Sequence, residues 1–215
     1  MTRCGLPVPG SSETFTTVSV KYSDVPVWFH VYCTKKYPTR ADSFSEGWGD
    51  TRFAPIHAND GTPVHTYYLA SNPECAYIES VLHDIPLSPP GAFDEDELQY
   101  FHLAQVILPD PLHCVSFHTP YLPALQNLTR TQLIDSLPAC YPETRAWAQA
   151  AYQQRPKAQA IAYGSRRDDA GRCLMLFSQR ISDPTLRVIA DEPLALPPRR
   201  TEILRLIRRL KIHKI

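Results

Sequence analysis

Proline is the residue that most limits what this chain can fold into. The 215 residues include 21 prolines and only 8 glycines. Because proline has no backbone N–H and fixes its own φ angle, it ends helices and stiffens loops. We therefore exclude a bundle of long helices and predict many short elements joined by rigid connections. The hydrophobic fraction of 43% is sufficient for one packed domain with modest extensions.

The hydrophobic pattern predicts an α+β fold. Apolar runs rich in β-branched and aromatic residues predict strands, and helical spacing of apolar residues predicts helices. The predicted strands cover residues 14–20, 25–32, 64–70, 99–108, 112–117, 158–163, 172–177 and 186–190. The predicted helices cover residues 73–83, 129–136, 142–154 and 201–214. Ser71 and Thr201 are the predicted caps of the first and last helices, and residues 88–97 are predicted to form an acidic loop. Strands mixed irregularly with helices favour a mostly antiparallel sheet.

The overall charge gives no field that attracts nucleic acid or an acidic membrane, but one segment is basic. The formal net charge is zero, so we expect no direct binding to nucleic acid and none to a membrane. Residues 199–215 nevertheless carry seven Lys/Arg and one Glu, on a predicted amphipathic helix. Our first interpretation is a helix packed on the domain with a basic outer face. Contact with a partner, or with a second subunit in a homodimer, is the second interpretation, and nucleic acid is the third.

The cysteines and the N-terminus indicate a cytoplasmic protein without a metal. The cysteines are Cys4, Cys33, Cys75, Cys114, Cys140 and Cys173. Their spacing fits neither a zinc site nor a dense disulfide framework, and the eight histidines show no metal-ligand spacing. We therefore expect reduced, partly buried thiols. Residues 1–17 lack the basic start and apolar run of a secretory signal, and no stretch approaches the roughly 20 apolar residues that a membrane span needs.

Four segments carry polar residues at positions that the hydrophobic pattern does not explain. They are Gly47–Pro55 (GWGDTRFAP), Thr66–Ala70 (TYYLA) with the following helix that carries Glu79, Thr144–Ala148 (TRAWA), and Ala162–Arg167 (AYGSRR) with the strand that ends at Phe177. Each segment taken alone is common in unrelated proteins. Their order along the chain is the informative feature.

In this order the segments resemble the RES domain family, over roughly residues 27–177. The family is named for an arginine, a glutamate and a serine, which correspond here to Arg52, Glu79 and Ser165. The resemblance implies a fold similar to ADP-ribosyltransferases, with split, mostly antiparallel sheets and surrounding helices. We divide the chain accordingly into an N-terminal extension (1–24), a RES domain (25–195) and a basic amphipathic C-terminal helix (196–215).

The resemblance also implies a function. Family members are typically toxins of toxin–antitoxin pairs that degrade nicotinamide adenine dinucleotide (NAD⁺) by phosphorolysis or hydrolysis. NAD⁺ is then the substrate, inorganic phosphate is a candidate co-substrate, and the expected partner is an antitoxin with a helix-turn-helix part. Two departures from the family pattern are a Gln159-Ala160 pair before the serine strand and a long acidic stretch over residues 86–122. The second is expected to affect access to the pocket or docking of an inhibitor.

The chemistry of the four residue types fits the same roles. Arg52 offers planar donors to phosphate or ribose oxygens and is predicted as both a substrate-binding and a catalytic residue. The ring of Tyr68 is suited to stacking on nicotinamide. Glu79 is predicted to stabilise the oxocarbenium-like charge that develops when the N-glycosidic bond breaks. Ser165 is predicted to contact the substrate or to position Glu79, since no G-x-S-x-G elbow marks it as a nucleophile.

Simpler interpretations stay open at this stage. Glu79 borders the apolar stripe of its helix, where a glutamate is usually a solvated edge residue, and Arg52 taken alone is an ordinary exposed arginine. Tyr67, on the other face of the strand from Tyr68, is predicted to be structural. Arg166 and Arg167 fit either a phosphate contact or a solvated turn. Two alternative functions are a mono-ADP-ribosyltransferase that modifies a protein and a catalytically silent module that binds a regulator.

Overall fold

The structure is a computed structural model that describes residues 4–47, 49–181 and 186–215. The strands are β1 (Thr17–Val20), β2 (Trp28–Cys33), β3 (Ile56–His57), β4 (Pro63–Val64), β5 (Thr66–Ala70), β6 (Ala92–Phe93), β7 (Phe101–Ile107), β8 (Leu112–Ser116), β9 (Ala160–Gly164), β10 (Arg172–Phe177), β11 (Arg187–Pro193) and β12 (His213–Lys214). The α-helices are α1 (Pro73–Ile78), α2 (Arg130–Leu133), α3 (Tyr141–Gln154) and α4 (Arg199–Arg209). Short 3-10 helices cover Glu95–Tyr100, Thr119–Ala124, Pro138–Cys140 and Ser178–Arg180.

Eight strands form one curled sheet in the order β1-β8-β9-β10-β5-β2-β7-β11. Neighbouring strands are antiparallel except for β8 and β9, which are parallel. The predicted α+β class with a mostly antiparallel sheet is therefore confirmed. The sheet is interrupted in its middle, since β2 pairs with β5 only at Phe29 and Ala70, whereas β2 pairs with β7 along its whole length from Trp28 to Cys33. This junction corresponds to the expected split.

The two faces of the sheet bury two separate hydrophobic clusters. Strand β10 shows the arrangement, because side chains alternate between the faces of a strand. Cys173, Met175 and Phe177 face the larger cluster, which the helices cover, and Leu174 and Leu176 face the smaller one. The site described below lies on the helix-covered face.

Helix α1 is shorter than the pattern predicts. Its cap is Asn72, whose side chain accepts a hydrogen bond from the Cys75 backbone N–H at 2.8 Å, so the prediction that Ser71 caps it is wrong. The helix ends at Ile78, because Leu82 N–H bonds to the Tyr77 carbonyl, five residues back, at 2.9 Å. The chain therefore leaves the α-helical path directly at Glu79, which is the C-cap residue.

The C-terminal helix α4 packs on the domain, as our first interpretation of the basic segment proposed. Ile203, Leu206 and Ile207 are buried in the larger cluster. The helix begins at Arg199 after Pro198 and has no side-chain cap, so the prediction that Thr201 caps it is wrong. Beyond it, β12 pairs with β6. The predicted loop over residues 88–97 therefore contains a strand and the start of a 3-10 helix.

The N-terminal segment is attached to α3 and to the core. Leu6 and Phe15 lie in the larger cluster, and the Trp147 indole donates to the Pro7 carbonyl at 2.9 Å. Cys4 forms a disulfide with Cys140, 136 residues away, so the prediction of uniformly reduced cysteines is wrong for this pair. The sequence gives no sign of the pairing because only the fold brings the segment to the start of α3. The division of the chain at residues 24 and 195 stays a prediction.

Across the described ranges, every helix is too short or too polar to cross a lipid bilayer.

Candidate active site

A cavity of about 550 Å³ opens where β2 and β5 separate. Both strands contribute to its wall, together with the loop before β3, helix α1 and the start of α3. The lining residues include Phe29, His30, Thr51, Arg52, Tyr68, Glu79, Tyr141, Tyr163 and Cys173. The volume lies within the range of small-molecule sites, and apolar walls with a few convergent polar groups are typical of such sites. Three of the four predicted site residues therefore line one cavity, although they are far apart in sequence.

Glu79 and the predicted serine are directly bonded. The Ser165 hydroxyl donates to Glu79 Oε1, and the backbone N–H of Arg166 donates to the same oxygen at 2.9 Å. Glu79 Oε2 makes no hydrogen bond to any described residue. Because Glu79 lines the cavity, Oε2 is the oxygen available to a ligand. The carboxylate is thus held at one oxygen and open at the other.

Ser165 is buried behind Glu79 and does not line the cavity. It follows β9 and opens the turn to β10, where its hydroxyl accepts the backbone N–H of Arg167 at 3.0 Å and that of Asp168 at 2.9 Å. With two N–H groups donating to it, the hydroxyl is oriented to give its own proton to Glu79. Of the two roles predicted for Ser165, this geometry favours positioning of the carboxylate.

Arg52 is buried, yet two of its nitrogens have no partner. Only 7% of its surface is exposed, and within the described residues neither Nε nor Nη2 makes a hydrogen bond. The guanidinium carbon lies 5.7 Å from the centre of the Tyr141 ring and 6.0 Å from that of Phe53. A buried guanidinium without hydrogen bonds is costly, so this group is arranged for an anionic or strongly accepting ligand.

Helix α3 holds the loop that carries Arg52. The Thr144 hydroxyl donates to the Arg52 carbonyl, and the Arg145 guanidinium pairs with Asp50. Residues Thr144 and Arg145 of the predicted TRAWA segment thus hold the loop in place, while Trp147 of the same segment packs in the hydrophobic core. Trp48, in the same loop, lies outside the described residues.

Tyr68 lies on β5, on the cavity side of the sheet. Its hydroxyl is 2.9 Å from Thr51 Oγ1, and burial raises the pKa of Tyr68 to about 12, so the phenol is neutral at physiological pH. On the other face, Tyr67 is buried and donates its hydroxyl to the Ala41 carbonyl at 2.5 Å, which agrees with its predicted structural role. His30, whose ring stacks on Tyr67, has Nδ1 at 2.7 Å from the Tyr68 carbonyl.

Two tyrosines of the cavity were missed by the sequence interpretation. Tyr141 begins α3, and Tyr163 lies in β9 two residues before Ser165. Both resemble core residues in sequence, because aromatic residues in strands and at helix starts are usually buried. The one available signal was the position of Tyr163, which faces the same side of its strand as the neighbouring serine.

Arg167 has neither of its predicted roles. Its guanidinium donates to the carbonyl oxygens of Leu82, His83 and Ile85, just after Glu79. It is therefore committed to the backbone and is not available to phosphate. No group of three or more His, Cys, Asp or Glu side chains suited to a metal ion occurs in the described ranges.

The arrangement is suited to a ligand with both an anionic and an electron-poor part. A buried guanidinium whose Nε and Nη2 have no partner among the described residues belongs to the same cavity wall as a carboxylate with one open oxygen. The neutral phenols of Tyr68 and Tyr163 line the same cavity. Carboxylates next to a cleavable glycosidic carbon stabilise positive charge there. Among the described residues of the site, no cysteine or serine is arranged as a nucleophile. The Ser165 hydroxyl is bonded to Glu79, and the Ser80 hydroxyl donates to the Ala76 carbonyl. Cys173 is a buried thiol whose pKa is raised by its hydrogen bond to Cys75 and by burial.

Comparison with known proteins agrees with the resemblance seen in the sequence. A model of the RES domain matches residues 27–198. A chain from the crystal structure of the M. tuberculosis MbcT-MbcA toxin-antitoxin complex is similar in fold, with a TM-score of 0.61 and 16% sequence identity over 88% of this chain and 92% of that one. A search of curated proteins found no match.

Proposed function

This chain belongs to the RES domain family, and we propose that it cleaves the nicotinamide–ribose bond of NAD⁺. The observation that carries the proposal is the Glu79 carboxylate, which is held by Ser165 and the Arg166 N–H in the same cavity as the unpartnered Arg52 guanidinium. A carboxylate and a buried cation around one cleft match the two charged parts of NAD⁺, which are the positive nicotinamide ribosyl group and the diphosphate.

The proposed reaction breaks the bond between the nicotinamide nitrogen and C1′ of the ribose. The bonding electrons leave with nicotinamide, which becomes neutral, and positive charge develops on the ribose. Glu79 Oε2 faces this charge and stabilises it. An oxygen of water or phosphate then bonds to C1′ and loses its proton to solvent, giving ADP-ribose or its 1-phosphate. Ser165 holds Oε1, so the carboxylate does not have to reorganise during the reaction.

Arg52 and Tyr68 are proposed to bind the substrate. The open Nε and Nη2 donors of Arg52 suit the oxygens of the diphosphate or of the adjoining ribose. The Tyr68 ring, fixed by the hydroxyl contact to Thr51 and by its strand, is proposed as the platform for nicotinamide.

The acceptor decides between degradation and modification of a protein. Inorganic phosphate and water are both small, and we propose that the cavity of about 550 Å³ admits either of them beside the reacting ribose. We propose one of them as the acceptor, because the open oxygen of Glu79 is able to orient a small nucleophile. Transfer of ADP-ribose to a protein side chain uses the same bond cleavage and is the alternative.

The proposed biological role is that of a toxin acting on cytoplasmic NAD⁺. The fold similarity to a chain of a toxin-antitoxin complex supports a proposed antitoxin partner, for which the family resemblance suggests a helix-turn-helix protein. Such a partner is expected to suppress nicotinamide release when the two are mixed; undiminished release with a bound partner would contradict an inhibitory role.

The test is an assay of purified protein with NAD⁺ labelled in the adenylate half. We expect free nicotinamide in a one-to-one ratio with labelled ADP-ribose in water, or with its 1-phosphate when phosphate is added. Label that stays on protein would favour the transferase instead. No release of nicotinamide under any of these conditions would contradict the proposed function.

A further inference from the structure

The Tyr163 hydroxyl has no hydrogen-bond partner among the described residues. Tyr163 lines the cavity, and only 5% of its surface is exposed. Its ring packs edge-on against Phe53, with centroids 5.2 Å apart. The ring is therefore fixed, and the polar end is left for something that enters the cavity.

The hydroxyl lies in the electrostatic reach of both charged site residues. Burial is the main reason that the pKa of Tyr163 is raised; the negative charge of Glu79 raises it further, and the positive charge of Arg52 opposes this. Tyr163 thus carries a neutral phenol, which donates one hydrogen bond and accepts others. The hydroxyl oxygen is accessible from the cavity, so it is available to a ligand there.

Tyr68 and Tyr141 have other commitments in the same cavity. The Tyr68 hydroxyl contacts Thr51 Oγ1 at 2.9 Å, and the Tyr141 ring lies against the Arg52 guanidinium. Tyr163 is held by the strand that leads into Ser165, whose hydroxyl bonds Glu79. Tyr163 is therefore linked to the carboxylate through its strand and to the loop that carries Arg52 through its ring contact with Phe53.

We infer that Tyr163 is a further substrate-binding residue, whose hydroxyl donates a hydrogen bond to an oxygen on the nicotinamide ribosyl half of the dinucleotide. This inference rests on the proposed function. The oxygens available on that half are the ribose hydroxyls and the carboxamide carbonyl, and each is a good acceptor for a phenol. The adenosine half is expected to make no contact with Tyr163.

The substitution Tyr163→Phe removes one oxygen and keeps the ring against Phe53. A neutral hydrogen bond contributes about 0.5–1.5 kcal/mol, which corresponds to about a threefold to tenfold change. We expect kcat/KM for NAD⁺ to fall by this factor while the thermal unfolding midpoint is unchanged or higher. Tyr152→Phe is the matched control, because the Tyr152 hydroxyl bonds to Gln179 Oε1 at 2.6 Å, outside the cavity. It is expected to leave kcat/KM at the wild-type value.

Competitive ligands show which half of the substrate is contacted. Nicotinamide mononucleotide and AMP are each titrated as inhibitors of the wild type and of Tyr163→Phe. The inhibition constant of nicotinamide mononucleotide is expected to rise threefold to tenfold in the variant, and that of AMP is expected to be unchanged. The inference would be overturned by an equal effect on both inhibition constants, or by an unchanged kcat/KM in Tyr163→Phe. In either case, nicotinamide release by the wild type would still support the proposed function. A wild-type protein that releases no nicotinamide would overturn both.

Discussion

At the scale of single residues, the site depends on a carboxylate whose two oxygens have different surroundings. Glu79 Oε1 accepts the Ser165 hydroxyl and the Arg166 N–H, and Oε2 has no described partner. Arg52 shows a similar division, since its carbonyl is bonded by Thr144 while Nε and Nη2 have no partner among the described residues. In both residues the protein satisfies the part that fixes position and leaves polar atoms without a protein partner. This is the pattern expected of a preorganised site.

A second residue-scale feature predicts how stability depends on pH. Burial lowers the pKa of His30 to about 4, against the opposing effects of its bond to the Tyr68 carbonyl and of Asp191. In the unfolded chain a histidine has a pKa of about 6.5. Between these values the unfolded chain binds a proton that the folded chain does not. The free energy of unfolding therefore falls as pH drops from about 6.5 to about 4, by up to about 3 kcal/mol.

Urea unfolding at several pH values measures this contribution. The difference in unfolding free energy between the wild type and His30→Gln is expected to shrink as pH falls through this window and to stay constant below pH 4. His57→Gln, at an exposed position, serves as the control. Parallel curves for the wild type and His30→Gln would show that the imidazole is not held neutral.

The sequence predicts the charged residues of the site better than its aromatic ones. Arg52, Glu79 and Ser165 are polar residues in positions that the hydrophobic pattern does not explain, so the ordered motifs identify them. Tyr141 and Tyr163 are equally part of the cavity. Their sequence surroundings are those of ordinary core residues, and only the separation of β2 from β5 exposes their cavity-facing sides.

At the scale of elements, the turn after β9 anchors the segment that carries the carboxylate. Ser165 bonds Glu79 itself, and Arg167, two residues later, donates to three carbonyls of the chain that follows it. Helix α4 also supports α1, since the Tyr77 hydroxyl donates to Glu202 at 3.2 Å. A helix of only six residues is marginal without such contacts.

The substitution Arg167→Met tests this anchoring. It removes the donors of three partly buried carbonyls, and each bond from a charged donor contributes about 1.5–3 kcal/mol, with strong overlap among the three. We expect the free energy of unfolding to fall by about 2–4 kcal/mol. Hydrogen exchange at the amides of residues 79–85 is expected to accelerate. Arg209→Met removes an exposed pair with Glu74 and is expected to change neither measurement. Unchanged exchange in Arg167→Met would contradict the anchoring role.

Most element types follow from the sequence, and their ends do not. Strand β10 has the predicted bounds, because Gly171 and the polar turn before it define its start. Helix α1 was predicted five residues too long, since the apolar residues Val81 and Leu82 continue its pattern. The Leu82 N–H bonds five residues back, to Tyr77, and the His83 N–H bonds three residues back, to Ser80. Contacts with Arg167 stabilise this irregular path.

At the scale of the whole molecule, the N-terminal segment is joined covalently to the wall of the cavity. Cys140 is bonded to Cys4 and directly precedes Tyr141, and Pro138 also lines the cavity. A disulfide between residues so far apart restricts the unfolded chain strongly. Such bonds are rare in reducing compartments. The Cys4–Cys140 bond is therefore expected to form where the surroundings are oxidising.

Replacing Cys140 with serine is expected to lower the free energy of unfolding by about 2–5 kcal/mol in the absence of reductant. Dithiothreitol is expected to bring the wild type to the same value and to leave Cys140→Ser unchanged. Cys33→Ser, at a partly exposed unpaired cysteine, is the control. If reductant does not shift the wild-type unfolding midpoint, the disulfide does not stabilise the protein.

The central claim is that Glu79 stabilises the charge that develops on the ribose of NAD⁺. The most direct test compares nicotinamide release by two variants, one at the C-cap of α1 and one in its first turn. Glu79→Gln keeps the shape of the side chain and removes its charge, and we expect the rate to fall at least about a hundredfold. Glu74→Gln removes an exposed carboxylate that pairs with Arg209, and we expect the wild-type rate. Equal rates of nicotinamide release by Glu79→Gln and Glu74→Gln would contradict the account.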